Sequence, residues 1–134
     1  MDLTSFDNFK TLLKIAQENY PLIEEATTPY QDLIVDDNTR YYVQVHTYGW
    51  KGYAISDTGE LTSLYSTYKG QGEELVLDAI LNGATNLDCF DGYLTDFYSK
   101  LGFVEVFRQE NWTEGGPDVV FMRLITNALN RVCE

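Results

Sequence analysis

The chain has 134 residues and a formal net charge of −12, with 21 Asp and Glu against 9 Lys and Arg. That length suits one compact domain, 1–134, rather than two, and ten Tyr and seven Phe can furnish a real core. An acidic surface repels nucleic acid and anionic membranes, so neither is an expected partner, whereas an amine, a Lys side chain or a basic protein is acceptable to it.

The first turn signal is Thr4 or Ser5, either of which can cap a helix whose positive end suits Asp2 and Asp7. Phe6, Phe9, Leu13, Ala16 and Tyr20 then recur at helical spacing, with Leu12 beside them. Pro21 interrupts the pattern, and Leu22 to Ala26 reads as a second short helix stopped by Thr27-Thr28-Pro29. No strand is evident before the first helix. A short strand is expected at Leu33-Ile34-Val35, bounded by Asp36-Asp37-Asn38. Arg40 to Thr47 is rich in β-formers, Tyr48-Gly49 turns the chain, and Trp50 to Ser56 is the next strand. Asp57-Thr58-Gly59 makes a tight turn into Glu60 to Ser66. Three extended runs joined by short turns predict an antiparallel meander.

The stretch that follows carries the chemistry. Thr67-Tyr68-Lys69-Gly70-Gln71-Gly72 is a glycine turn between a strand and a helix predicted over Gln71 to Asn82. Leu75, Val76, Ala79 and Ile80 lie on one face of that helix, and Gly83 falls just past its end. Glycines before a helix let the backbone approach a ligand, and the first N–H groups of the helix are free to meet an anion. The same helix serves as a crossover into parallel pairing. Thr85 to Phe90 is a further strand, Gly92 to Leu101 a helix, and Phe103 to Gln109 and Val119 to Leu124 the last strands. The loop 110–118 holds Trp112, Gly115, Gly116 and Pro117. The tail 127–134 is read as a strand extension or a short helix.

Lys69-Gly70-Gln71-Gly72 followed by Phe97-Tyr98-Ser99-Lys100-Leu101-Gly102-Phe103 resembles the GNAT superfamily of acetyl-coenzyme A-dependent N-acetyltransferases. The likeness covers the C-terminal half well and the first third poorly. It implies an α/β (α+β) domain of the GNAT-like, acyl-CoA N-acyltransferase fold, with a mixed, mostly antiparallel sheet flanked by helices. It also implies acetyl-CoA as cofactor, with contacts from Leu64, Tyr65, Ser66, Lys69, Gly70, Gln71, Gly72, Glu73 and Asp91. Asp91 stands where the family often has Asn at the start of the late helix. Tyr98 takes the place of the phenol that returns a proton to the departing thiolate. Because compact proteins of this look occur among bacterial viruses, a viral, virion-associated origin is a further expectation.

Two departures from the family pattern weigh against the coenzyme. The residue that opens the pyrophosphate loop is Thr67 rather than Gln or Arg, although Lys69 offers a partial substitute. Glu73 and Glu74 follow Gly72; they suit the helix dipole but repel a pyrophosphate by about 1–4 kcal/mol per charge pair at moderate dielectric. Glu60 is the candidate general base, with His46 as a second choice, and both are equally ordinary as polar surface residues. Trp50, Trp112 and Tyr41-Tyr42 can line an acceptor pocket or serve as core. One His and two distant cysteines, Cys89 and Cys133, make neither a zinc set nor a predicted disulfide. With no signal-peptide pattern and no bilayer-length apolar run, the expected compartment is the cytoplasm. Two functions remain open: transfer of an acetyl group to an amine, including a protein Lys or N-terminus, or a catalytically silent GNAT-fold protein with a structural or protein-binding role.

Overall fold

The computed structural model describes residues 1–125; the tail assigned above to a strand extension or helix, and Cys133, lie outside the described residues. The chain forms two compact units, Met1–Ala84 and the residues from Thr85 onward.

In the first unit, strand β1 (Asp2–Thr4) precedes helix α1 (Phe6–Asn19), helix α2 (Pro21–Ala26) and a single 3-10 turn at Tyr30–Asp32. Strands β2 (Arg40–His46), β3 (Gly49–Ile55) and β4 (Leu61–Ser66) follow, and helix α3 (Gly72–Leu81) closes the unit. The four strands are antiparallel in the order β1-β2-β3-β4, so the predicted meander is present. Strand β1 corrects the expectation that nothing extended precedes the first helix. Asp2, Leu3 and Thr4 pair with Val43, Tyr42 and Tyr41. Three residues, of which only Thr4 is β-branched, are too short a run to carry a local signal; cross-strand pairing makes the strand. The expected strand at Leu33-Ile34-Val35 is likewise corrected, since these residues are irregular and Ile34 is 83 % exposed. The place beside β2 that such a strand would need is taken by β1.

Ser5 caps α1 by accepting a hydrogen bond from the Asn8 amide at 3.1 Å. Most of the predicted apolar stripe of α1 is its buried face: Phe9, Leu13 and Ala16 pack with Ile23, Tyr41, Ala54 and Tyr65 in one cluster, with Phe6 partly buried against it, whereas Tyr20 lies just past the helix end and is exposed. Buried Gln17 ties the helix to the following segment through Thr27, the Thr28 carbonyl and the Tyr30 amide. On the other face of the same sheet, Tyr42 stacks on Tyr53 at 5.0 Å, and Tyr53 donates a hydrogen bond to Asp78 of α3 at 2.5 Å. Helix α3 buries Leu75, Val76 and Ala79. Its end is a Schellman closure, in which Gly83 (φ +107°) donates to the Ile80 carbonyl and Ala84 to that of Ala79. With helices over both faces, β3 is buried along Lys51–Ile55.

The second unit contains β5 (Asn86–Phe90), α4 (Tyr93–Lys100), β6 (Phe103–Gln109) and β7 (Val119–Leu124). Its sheet is antiparallel in the order β5-β7-β6, which corrects the parallel pairing expected after α3: the hydrogen-bonded partner of β5 is the later strand β7, and no strand pair among the described residues is parallel. Leu87, Tyr98, Phe103, Val120, Met122 and Leu124 form its buried side. Gly102, in the left-handed region, ends α4 and donates to the Ser99 carbonyl; Phe103 then enters β6 almost fully buried. None of the described helices is long and apolar enough to cross a membrane.

Candidate functional site

Strand β4 runs straight into the glycine turn. Its pairing with β3 breaks register between Gly52 and Ala54, where Tyr53 faces Ser63 and Leu64 together. Two residues against one is a bulge, and Ser63 pays for it with φ +52°. The bulge takes Leu64 out of the regular ladder within a strand that is the edge of its sheet. Of the other strand residues assigned to the coenzyme, Ser66 donates to the Tyr68 carbonyl at 2.7 Å and shapes the turn. Tyr65 points into the α1 cluster, where its buried hydroxyl finds no hydrogen-bond partner among the described residues. The neighbouring Trp50 indole N–H donates instead to the Leu12 carbonyl at 3.2 Å, and burial drives the Tyr65 phenol well above its ordinary pKa.

Gly70 adopts φ +81° with open space where a Cβ would stand. The requirement for glycine is therefore conformational, since L side chains rarely adopt this backbone. Lys69 and Gly70 are exposed, and so are Glu73 and Glu74 on the first turn of α3. No side chain caps α3, in contrast to α1. Gln71 at the cap position spends its amide elsewhere, its oxygen accepting from Lys51 Nζ at 2.9 Å and its nitrogen donating to the Lys69 carbonyl at 3.3 Å. The start of α3 thus lacks a side-chain cap behind a glycine turn, and N–H groups left free at a helix start are suited to an anion. Thr67 is committed to structure: its hydroxyl accepts from the Trp50 amide at 3.0 Å.

Glu60 lies at the opposite end of β4. Its backbone is tied to Ser56, the amide donating to Oγ and the carbonyl accepting from the Ser56 amide, both at 3.0 Å. The six residues of β4 separate it from the glycine turn by roughly 20 Å of extended chain. His46 stacks on Tyr48 at 4.9 Å, with Tyr68 edge-on to Tyr48 at 5.1 Å.

Tyr98 and Asp91 belong to the second unit. Tyr98 is 8 % exposed, held edge-on between Phe97 (5.3 Å) and Phe103 (5.8 Å). Burial, with the nearby Cys89 thiol adding to it, pushes its phenol up to about 12. Asp91 is not the cap of α4; that position is Gly92, whose amide donates to Thr95 Oγ1 at 3.2 Å. The Asp91 carboxylate instead accepts from Arg108 at 2.6 Å, and Arg108 also binds Glu105 and Asp118. Asp91 therefore fastens the start of α4 to β6. The sequence offered no sign of the Ser63 bulge or of Lys51 reaching Gln71, because both depend on strand register.

No protein-family model and no curated protein matches the chain. Solved structures do. An acyl-CoA N-acyltransferase from Pseudomonas aeruginosa superposes with a TM-score of 0.64 over 90 % of this chain and 92 % of that one, at 16 % identity. A chimera of the Vibrio cholerae spermidine N-acetyltransferase SpeG and hSSAT superposes with a TM-score of 0.53 over 98 % and 100 %, at 20 % identity. The chain has the GNAT fold, that of the acyl-CoA N-acyltransferases.

Proposed function

We propose that the protein is an acetyl-CoA-dependent N-acetyltransferase acting on a cationic amine. The observation that carries this reading is the uncapped start of α3 behind the positive-φ Gly70, in a chain with the acyltransferase fold. The amides of Gly70, Gln71, Gly72 and Glu73 would hold the coenzyme pyrophosphate, with Lys69 at the rim. The bulge at Ser63–Leu64 on β4 would offer backbone donors to the acyl carbonyl. The cationic amine would give one proton to Glu60, and the free amine would then attack the thioester carbon, the C–N bond forming as the C–S bond breaks. Tyr98 would give its proton to the departing sulfur and regain one from the newly acylated nitrogen. A net charge of −12 favours a cationic acceptor, and spermidine is the natural first probe given the SpeG chimera.

A silent protein of the same fold is the second reading. Two exposed carboxylates on the first turn of α3, and a Thr67 hydroxyl already committed to Trp50, favour it. Calorimetric titration with acetyl-CoA separates the two. The enzyme reading expects micromolar binding and thiol release in the presence of spermidine. No binding at millimolar coenzyme leaves the silent reading.

A further inference from the structure

We infer that Lys51 is the counter-cation of the anion held at the start of α3. This rests on the coenzyme reading and deepens it, since the anion is then the coenzyme's pyrophosphate. Lys51 stands on the central strand β3 and is 8 % exposed, an unusual site for an ammonium. A buried charge is costly unless paired, yet every ion pair among the described residues belongs to Arg108. The direct partners of its ammonium are neutral: the Gln71 amide oxygen at 2.9 Å and the Tyr68 ring, 5.8 Å from Nζ to centroid. An ammonium carries three donors, so this hydrogen bond leaves donors to spare.

The surroundings indicate where those donors can be used. Lys51 lines a cleft of about 180 Å³ with Gln44, Glu74, Leu75 and Asp78, so a small polar group can reach it. The two carboxylates of the cleft stand beyond ion-pair distance, and Asp78 already accepts from Tyr53 and Asn82. Gln71, the cap residue of α3, is the group that tethers the ammonium, which brings the charge to the uncapped first turn. The charged helper missing from position 67 of the loop is thus supplied by the neighbouring strand. An anion there meets helix amides and an ammonium together, and charge-assisted hydrogen bonds of that kind are the strong ones. The bland alternative is a lysine balanced at a distance by Glu74 and Asp78, with no ligand role.

The test is calorimetric titration of coenzyme A and, separately, inorganic pyrophosphate into wild type, Lys51→Met and Lys51→Gln. Lys51→Gln keeps an N–H donor and drops the charge on a slightly shorter side chain, so it reads out should Lys51→Met fail to fold. The expected result is about 10–100-fold weaker binding of both ligands in the variants, the weight of a hydrogen bond to a charged group. If wild type binds coenzyme A and folded variants bind it equally well, the inference is overturned and the coenzyme reading survives. If wild type binds pyrophosphate but not coenzyme A, the coenzyme reading falls, and loss of pyrophosphate binding in the variants upholds Lys51 as an anion ligand. Binding of neither ligand by wild type overturns both.

Discussion

Tyr98 is a phenol placed to stay protonated. Burial pushes its pKa up to about 12, so it keeps its proton throughout neutral pH, as the proposed acid must before it gives that proton to the leaving sulfur. Tyr98→Phe is expected to lower kcat by about 10²–10⁴-fold with little change in KM, the usual weight of a positioned acid. Initial-rate measurement of thiol release checks this, and an unchanged kcat removes Tyr98 from the chemistry. Asp91 works in the opposite sense. The Arg108 hydrogen bond, assisted by Thr95 and the Gly92 amide, holds its carboxyl below the ordinary value of 3.8. A depressed folded pKa contributes stability that is present above the unfolded value and is lost as pH falls through the folded one. Thermal unfolding from pH 7 down to pH 2 should therefore show an acid decline that Asp91→Asn flattens; an identical decline in the variant would refute the assignment. The effect is expected to be small because every partner is exposed.

At the scale of elements, helix α1 lies close over the strand that it covers. A Cβ added at Gly52 would stand 2.8 Å from the Tyr42 carbonyl, 3.2 Å from the Phe9 ring and 3.3 Å from that of Tyr65. Gly52→Ala is expected to cost about 1–3 kcal/mol, the usual penalty for overpacking. Urea unfolding measures it, and a change below about 0.5 kcal/mol, within surface-substitution scatter, would mean that both the neighbouring strand β2 and the helix can give way without cost. Helix α1, the meander, α3 and α4 were all legible, because period 3.6, period 2 and glycine punctuation are local signals. The strand expected at Leu33-Ile34-Val35 failed for a non-local reason: β propensity needs a partner edge, and β1 had occupied it.

For the whole molecule, the net charge of −12 is the property that bears most directly on the proposed acceptor. If the acceptor is the cationic amine proposed above, its binding should weaken with ionic strength. Raising NaCl from about 0.05 to 0.5 M, which shortens the screening length to a few Å, is expected to raise KM for spermidine several-fold while leaving that for an uncharged amine nearly constant. Equal salt dependence for both acceptors would show that the net charge serves solubility alone.

The sequence by itself determined the helices, the meander, the glycine turn and the resemblance, since each is written in neighbouring residues. Tertiary structure alone decided β1, the bulge at Ser63, the commitment of Asp91 to Arg108 and the placing of Lys51 beside Gln71. Each of these depends on which residues stand opposite one another across strands and loops, and opposition of that kind has no period along the chain.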